Sequence, residues 1–264
     1  MKAHVMKIAS LASVVALAGV FILSSPAAYA AEGEQTIKHV DWSFKGPLGT
    51  YDRNALRRGY KVYKEVCAAC HSMSLVSFRN LSEKGGPEFS VAQVKAIAAE
   101  FTVTNEDPDA AGDSFDRPGE AKDRFPSPFA NPEAAAASNG GAVPPDLSVI
   151  AKARPHGPDY HYSLLTGYVP APAGFEVGSL HYNAAFPGHL IAMPAPLSDG
   201  QVEYEDGTPN TVDQMAKDVT QFMMWTAEPK LEQRHYIGFM VMAYLLALAG
   251  ILFFATRKVW ADQH

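Results

Sequence analysis

The sequence has 264 residues, 47% of them hydrophobic, and a formal charge of −6. Such a length suits one large or two small domains, and the composition is sufficient for a packed core. The acidic balance argues against a nucleic-acid binder, which needs a basic face to meet phosphates; it fits a basic protein partner, and plain solubility equally well.

The chain opens with Lys2, His4 and Lys7, followed by an apolar run from Ile8 to Leu23, a break at Ser24-Ser25-Pro26, and the small-x-small sequence Ala28-Tyr29-Ala30. This is the pattern of a secretory signal, predicted to be cut after Ala30; an uncleaved N-terminal anchor is the alternative. Asp52 to Val66 reads as a helix, because Leu56, Tyr60 and Tyr63 recur at helical spacing among Arg57, Arg58, Lys61 and Lys64. Val91 to Phe101 is a second helix with Ser90 as its N-cap. From Val103 to Pro145 the chain turns to Asp, Glu, Pro, Gly, Ala and Asn, which predicts an irregular excursion with a short helix at Pro132 to Ser138.

Short helices are predicted at Leu147 to Arg154 and Asp159 to Thr166, and a Pro- and Gly-rich loop at Ala171 to Leu197. Thr211 to Ala227 is an amphipathic helix with Val212, Met215, Val219, Phe222 and Met223 on one face. A short polar linker then leads to a stretch without charge between His235 and Arg257. About 20 helical residues cross a bilayer's hydrocarbon core, Tyr236 and Trp260 sit at interfacial positions, and Arg257-Lys258 mark the cytoplasmic end by the positive-inside rule. The division read from the sequence is a signal peptide at 1–30, a periplasmic domain at 31–234, one transmembrane helix at 235–256 and a cytoplasmic tail at 257–264.

Cys67-Ala68-Ala69-Cys70-His71 carries the chemistry. Two thiols separated by two residues can add to the two vinyl groups along one edge of a haem, and the histidine that follows projects beneath the iron. A zinc site would want four nitrogen or sulfur ligands, and the sequence holds no cysteine beyond these two. A thioredoxin-like pair expects a strand before it, and here a helix precedes. The motif therefore points to one covalently attached haem c, with Cys67 and Cys70 as attachment points and His71 on the iron. The sixth iron position decides between electron transfer and open-site chemistry. Among nine methionines, Met73 is too near His71 to reach the opposite face, while Met215, Met223 and Met224 belong to the amphipathic helix. Met193, between Ala192 and Pro194 in a proline-stiffened loop, is the candidate; His156, His161, His181 and His189 are its rivals.

An ordered set of segments extends the argument: CAACHSM at 67–73, RPGEAKDRFPSPFANPEAA at 117–135, PPDLSVIAKAR at 144–154, DYHYSLLTGY at 159–168, FPGHLIAMPAPL at 186–197 and DVTQFMMWTAEP at 218–229. From about Val40 to Lys258 the chain resembles the cytochrome c1 family, the haem-c subunits of quinol–cytochrome c oxidoreductase (the cytochrome bc1 complex). The resemblance implies a mainly α fold: a class I cytochrome c-like haem domain with long irregular insertions, plus the C-terminal transmembrane helix. It implies Met193 as sixth ligand, Arg154 and Tyr160 near a haem propionate, and Pro145 packed on the His71 side. It also implies cytochrome b and the Rieske iron–sulfur protein as neighbours in a dimeric complex, a soluble cytochrome c as electron acceptor, and a role that is electron transfer rather than catalysis by this chain alone. The place is then the inner membrane, with the haem domain periplasmic.

Two departures from the family stand out. The stretch after Arg154, usually Gly-rich, reads Pro155-His156-Gly157-Pro158, and no cysteine remains for the disulfide that some bacterial relatives carry near the methionine loop. Acidic candidates for docking the soluble cytochrome are Glu106, Asp107, Asp109, Asp113 and Asp116, and a second group of Glu203, Glu205 and Asp206. The competing readings are a free-standing membrane-anchored shuttle, separable by co-purification with a b-type cytochrome, and a haem protein with an open iron, separable by carbon monoxide binding. N-terminal sequencing of the mature protein tests the leader: the first residue is expected to be Ala31, and a chain beginning at Met1 would refute cleavage.

Overall fold

The structure is a computed structural model that describes residues 35–105, 107 and 110–261. The signal peptide, Glu106, Asp109 and the last residues of the tail lie outside the described residues. The described chain is mainly helical. Helix α1, Arg53–Glu65, begins where Asp52 accepts hydrogen bonds from the Asn54 and Ala55 amides at 2.9 and 3.2 Å, donors that would otherwise be orphaned in a first turn. Its buried face is Ala55, Leu56, Gly59, Tyr60, Val62 and Tyr63, as the helical periodicity predicts.

Helix α2, Val91–Ala99, starts with a reciprocal cap between Ser90 and Gln93. The excursion that follows is not wholly irregular: strands β1, Thr102–Thr104, and β2, Asp116–Pro118, pair antiparallel with Thr104 opposite Asp116. Arg117 secures this hairpin by gripping Asp123 at 2.6 and 2.9 Å, a bidentate pair between residues too far apart in sequence for strand periodicity to reveal. Helix α3 is Pro132–Ser138, capped by Asn131, within its expected bounds.

At 147–154 only one 3-10 turn forms, Ile150–Lys152, where the sequence predicted a short helix. The early amides are committed elsewhere: Leu147 N–H donates to Ser72 O at 2.8 Å and Ser148 N–H to the Asp146 carboxylate at 2.8 Å, and Pro155 then stops the helix. Helix α4 is Pro158–Leu165. The proline-rich stretch holds the two-residue strands β3, His181–Tyr182, and β4, Leu190–Ile191, paired antiparallel. Helix α5, Val212–Ala227, is capped by Thr211 and buries Met215, Val219, Phe222 and Met223. Helix α6, Leu231–Trp260, is 30 residues long, so it starts before the expected span and absorbs most of the polar linker. It is long and apolar enough to cross a membrane, and its apolar stretch is covered by nothing among the described residues.

Helices α1 and α5 cross at closest approach through Gly59. A Cβ there would lie 2.1 Å from the backbone oxygen of Asp218 and 2.8 Å from Phe222 Cβ. Around the crossing, Tyr60 and Tyr63 pack their rings against Phe222, at 5.8 and 6.0 Å between centroids, and Phe125 and Phe78 extend the aromatic core. Gly59→Ala tests the crossing. Alanine favours a helix interior by up to about 1 kcal/mol, but the clash meets rigid backbone. Overpacking of this kind costs about 1–3 kcal/mol, so denaturant unfolding of the haem-loaded protein is expected to show a net loss of stability. Gly250→Ala, in open space on α6, is expected to leave that unfolding unchanged.

Candidate functional site

Helix α1 delivers the Cys-x-x-Cys-His segment directly. After Val66 the chain tightens into a 3-10 turn, Cys67–Ala69, and the amides of Cys70 and His71 both donate to Cys67 O, at 3.1 and 2.9 Å. One carbonyl thus gathers both thiols and the imidazole onto a single turn. Both cysteines are unpaired, Cys67 half-buried and Cys70 exposed. Burial pushes the Cys67 thiol up to about 12, with Cys70 adding to the shift. Both sulfurs are free of any disulfide, as thioether attachment to a vinyl group requires.

His71 is fixed by a long-range contact. Its Nδ1 lies 2.8 Å from Pro145 O. A carbonyl oxygen can only accept, so Nδ1 carries the proton and Nε2 keeps its lone pair, the tautomer that a metal-ligating histidine needs. Burial pulls the His71 pKa below its ordinary value, against the opposing effects of Pro145 O and Asp146. The contact belongs to a zipper between residues 71–75 and 145–148. Ser72 Oγ and Ser74 N–H each donate to Asp146 Oδ2 at 2.9 Å, and Leu75 N–H donates to Ser148 Oγ at 3.0 Å. Burial raises the Asp146 pKa, but hydrogen bonds from Ser148 and Ser74 outweigh it and hold the carboxyl well below its usual range. Pro145 and His71 are therefore brought together through the Pro145 carbonyl. Asp146, which organises the zipper, carried no signal in the sequence beyond its place in the segment at 144–154.

The second cluster gathers at α4. Tyr160 is 6% exposed, and burial raises its phenol pKa against the opposing field of nearby Arg154. The Arg154 guanidinium is exposed and hydrogen-bonds only the neighbouring Ala153 O, at 3.1 Å; among the described residues no carboxylate pairs with it. An uncommitted guanidinium beside a buried phenol suits a carboxylate ligand. His161, also on α4, places Nε2 2.8 Å from Ile150 O, tying the turn that precedes Arg154 to the helix. Burial drives the His161 pKa down to about 4. This histidine is thus a structural hydrogen-bond donor. The departure at 155–158 is accommodated by left-handed backbone at His156 (φ 65°) and Gly157 (φ 52°), the second at the glycine that such a conformation favours.

Met193 lies outside the core on the loop after β4, half-buried, and its backbone oxygen accepts from Tyr168 Oη at 3.0 Å. Tyr168 is close enough to Tyr160 to raise its own phenol pKa further, beyond the larger effect of burial. The Met193 loop and the Arg154–Tyr160 pair are thereby linked through one phenol that sequence reading had not singled out. Met73, Met215 and Met223 are in the core, which fits packing. Of the rival histidines, His189 Nδ1 engages Asn183 O at 3.2 Å, and His156 and His181 are exposed.

The site residues fit haem rather than a bare ion. Among the described residues no three His, Cys, Asp or Glu side chains form a group that could hold a metal, so iron here needs a macrocycle to complete its coordination. Two free thiols and a tautomerically fixed imidazole on one turn define a c-type haem protein. Comparison with known proteins makes this specific. The Cytochrome C1 family matches residues 42–263, and the chain belongs to that family, with haem c as its cofactor. It is 46% identical over 262 residues to cytochrome c1 of Rhodospirillum rubrum, covering 93% of this chain and 95% of that one. It is 50% identical over 279 residues to cytochrome b/c1 of Bradyrhizobium diazoefficiens, 97% of this chain but 40% of that longer protein. It is also 51% identical over 209 residues to a mitochondrial cytochrome c1 heme protein of Arabidopsis thaliana, 79% of this chain and 66% of that one.

The zipper has a pH signature. Because the folded Asp146 pKa is depressed, its stabilisation is complete above the ordinary value of 3.8 and is lost as pH falls through the folded value. Asp146→Asn is expected to lower stability at neutral pH, and the gap to the unaltered protein is expected to shrink below about pH 4. Denaturant midpoints across that range measure it; a constant gap would show that the carboxylate charge is not what holds the zipper.

Proposed function

We propose that this chain is the electron-transfer subunit of a quinol–cytochrome c oxidoreductase of the bc1 type, a class I cytochrome c-like domain carried on one membrane helix. The observation that supports it most is the His71–Pro145 contact, which leaves Nε2 free for iron on the turn that holds both thiols. Haem bound there supplies a one-electron couple. His71 would provide a neutral imidazole, since Nδ1 is committed to Pro145 O and the lowered pKa leaves Nε2 unprotonated at neutral pH. Met193 would provide a thioether. This soft, uncharged ligand favours ferrous iron and raises the potential, as an acceptor downstream of quinol requires. Pro194 and Pro196 stiffen the Met193 loop, and Tyr168 holds its backbone. Arg154 and Tyr160 receive a propionate, the cation offsetting the carboxylate charge and the phenol donating to it.

The donor in this reading is the Rieske iron–sulfur protein, and the membrane neighbour is cytochrome b. The Bradyrhizobium relative, whose name joins b and c1, supports that neighbour. The complex is dimeric, and the acceptor is a basic soluble cytochrome c. Of the two acidic groups, the one at 203–206 is partly neutralised: Glu205 pairs with Lys61 at 3.5 Å and Asp206 with Arg58 at 2.6 Å. Both groups remain the acidic faces offered to that acceptor, Asp107, Asp113 and Asp116 on the loop and Glu203, Glu205 and Asp206 beside α1. Helix α6 anchors the chain in the inner membrane with the haem domain in the periplasm and Arg257-Lys258 at the cytoplasmic end.

Met193→Leu tests the reading at its centre. Haem is expected to stay attached, because attachment depends on Cys67, Cys70 and His71. The midpoint potential is expected to fall markedly, the reduced protein to bind carbon monoxide, and reduction by quinol through the complex to be lost. Met215→Leu, fully buried in the core, is expected to change none of these, since a core tolerates a similar apolar volume. A six-coordinate spectrum and normal potential in Met193→Leu would assign the sixth position to another residue.

A further inference from the structure

Leu48 is 79% exposed, more than any other large apolar residue among those described, including those of α6. It sits on a turn whose flanks are fixed in the core: Trp42, Phe44 and Tyr51 are each under 7% exposed. The turn itself is rigid. Lys45 N–H donates to Trp42 O at 3.0 Å, Gly49 N–H to Gly46 O at 3.2 Å and Thr50 N–H to Ser43 O at 3.0 Å. Gly46 takes φ 79°, Pro47 fixes the next φ, and a Cβ on Gly49 would lie 2.3 Å from Phe44 O, so only glycine closes the loop. An apolar side chain is thus held out in solvent by a built turn.

The turn lies at the level where α6 leaves the haem domain. Gly49 O accepts from His235 Nδ1 at 3.3 Å, and Tyr51 N–H donates to Glu232 Oε1 at 2.8 Å. His235 is the last ionisable side chain before the uncharged stretch, and Tyr236, the next residue, follows with a rise of about 1.5 Å along the axis. Leu48, one residue from Gly49, therefore stands beside the plane in which the helix enters lipid. Lys45, on the same turn, turns its ammonium back to Val40 O at 3.2 Å and Asp159 at 3.6 Å, which leaves Leu48 as the side chain that the turn offers outward.

We propose that the Lys45–Gly49 turn is a second membrane contact, with Leu48 seated in the interfacial layer of the phospholipid bilayer and the turn fixing the height and tilt of the haem domain above it. The inference rests on the reading of α6 as a membrane span. A single apolar anchor on a fixed turn at the foot of a span suits lipid, where interfacial elements bury an apolar face at the headgroup boundary.

Leu48→Cys in the full chain provides the test. Cys67 and Cys70 are the only cysteines in the sequence and haem consumes both, so the new thiol is the sole target for a nitroxide label within this chain, and the intact complex without the substitution, labelled in the same way, gives the background from other subunits. Collisions with molecular oxygen, which concentrates in lipid, and with a water-soluble nickel chelate report its surroundings. The protein is measured in phosphatidylcholine–phosphatidylglycerol vesicles and in the intact complex. Labels at Leu246→Cys, within α6, and Val143→Cys, on the loop before Pro145, serve as references. The expected oxygen-to-nickel ratio at position 48 is several-fold above that at 143 and below that at 246, in both preparations. A ratio at 48 equal to that at 143 overturns the inference. Shielding from both reagents in the complex also overturns it and assigns the turn to a partner subunit. If the label at 246 is itself aqueous, it is the span reading that fails.

Discussion

The crossing of α1 and α5 at Gly59 is the constraint on which the rest of the structure depends. Helix α1 ends in the turn that carries Cys67, Cys70 and His71, and α5 ends four residues before the membrane helix begins. A backbone-to-backbone contact between these helices therefore sets the haem-binding turn against the anchor in one step. Beside the crossing, Arg58 donates to both oxygens of Asp218 at 2.8 and 3.0 Å, and the carboxylate is almost wholly buried. Burial pushes the Asp218 carboxyl up, against the pull of Arg58. Removing one partner of a buried pair costs about 3–5 kcal/mol, yet its replacement by apolar groups is often neutral. The pair thus contributes geometry more than net stability: it selects one rotation of α1 about the crossing, hence one direction for the cysteines.

What was legible in the sequence follows from range. The Cys-x-x-Cys-His spacing is local, and so are the cap at Ser90 and the periodic faces of α1 and α5, which the structure reproduces. The zipper was not legible, because its partners are more than 70 residues apart. It also explains the one helix that failed to form. Apolar spacing at 147–154 suits a helix, but the Leu147 and Ser148 amides are already bonded to Ser72 and Asp146. Tertiary hydrogen bonds overrode local periodicity at the place where they position His71. Arg154 and Tyr160 were found through likeness to a family; the physical sign, a guanidinium without an acid beside a buried phenol, needs coordinates to be seen.

The boundary of α6 shows the same competition with the opposite outcome. Charge placement put the membrane span at 235–256, and the helix that contains it begins earlier, at Leu231, with Glu232 inside its first turn. That carboxylate is held by Arg53 through two bonds of 2.7 Å and by the Tyr51 amide, and an acid in a first turn also favours the helix dipole. The Arg53 contact chiefly keeps Glu232 below the ordinary carboxylate range, with burial opposing it. The haem domain reaches into the start of the membrane helix, and a hinge is absent from the described junction.

The neighbouring pairs differ in weight, and the difference locates the stiffness. Lys230–Glu83 and Arg234–Glu228 use cations about three-fifths exposed, and such pairs contribute about 0–1 kcal/mol. Arg53–Glu232 is bidentate and only 28% and 22% exposed, the geometry in which an ion pair restrains rather than decorates. Glu228 adds a connection of a different kind. It accepts from Lys152 at 2.7 Å, and Lys152 closes the 3-10 turn that leads to Arg154. The same short stretch at the head of the anchor thus touches α1 through Arg53 and the Arg154 segment through Lys152. The contacts at the head of α6 join it both to the helix that carries the Cys-x-x-Cys-His turn and, through Arg234 and Glu228, to the segment that carries Arg154.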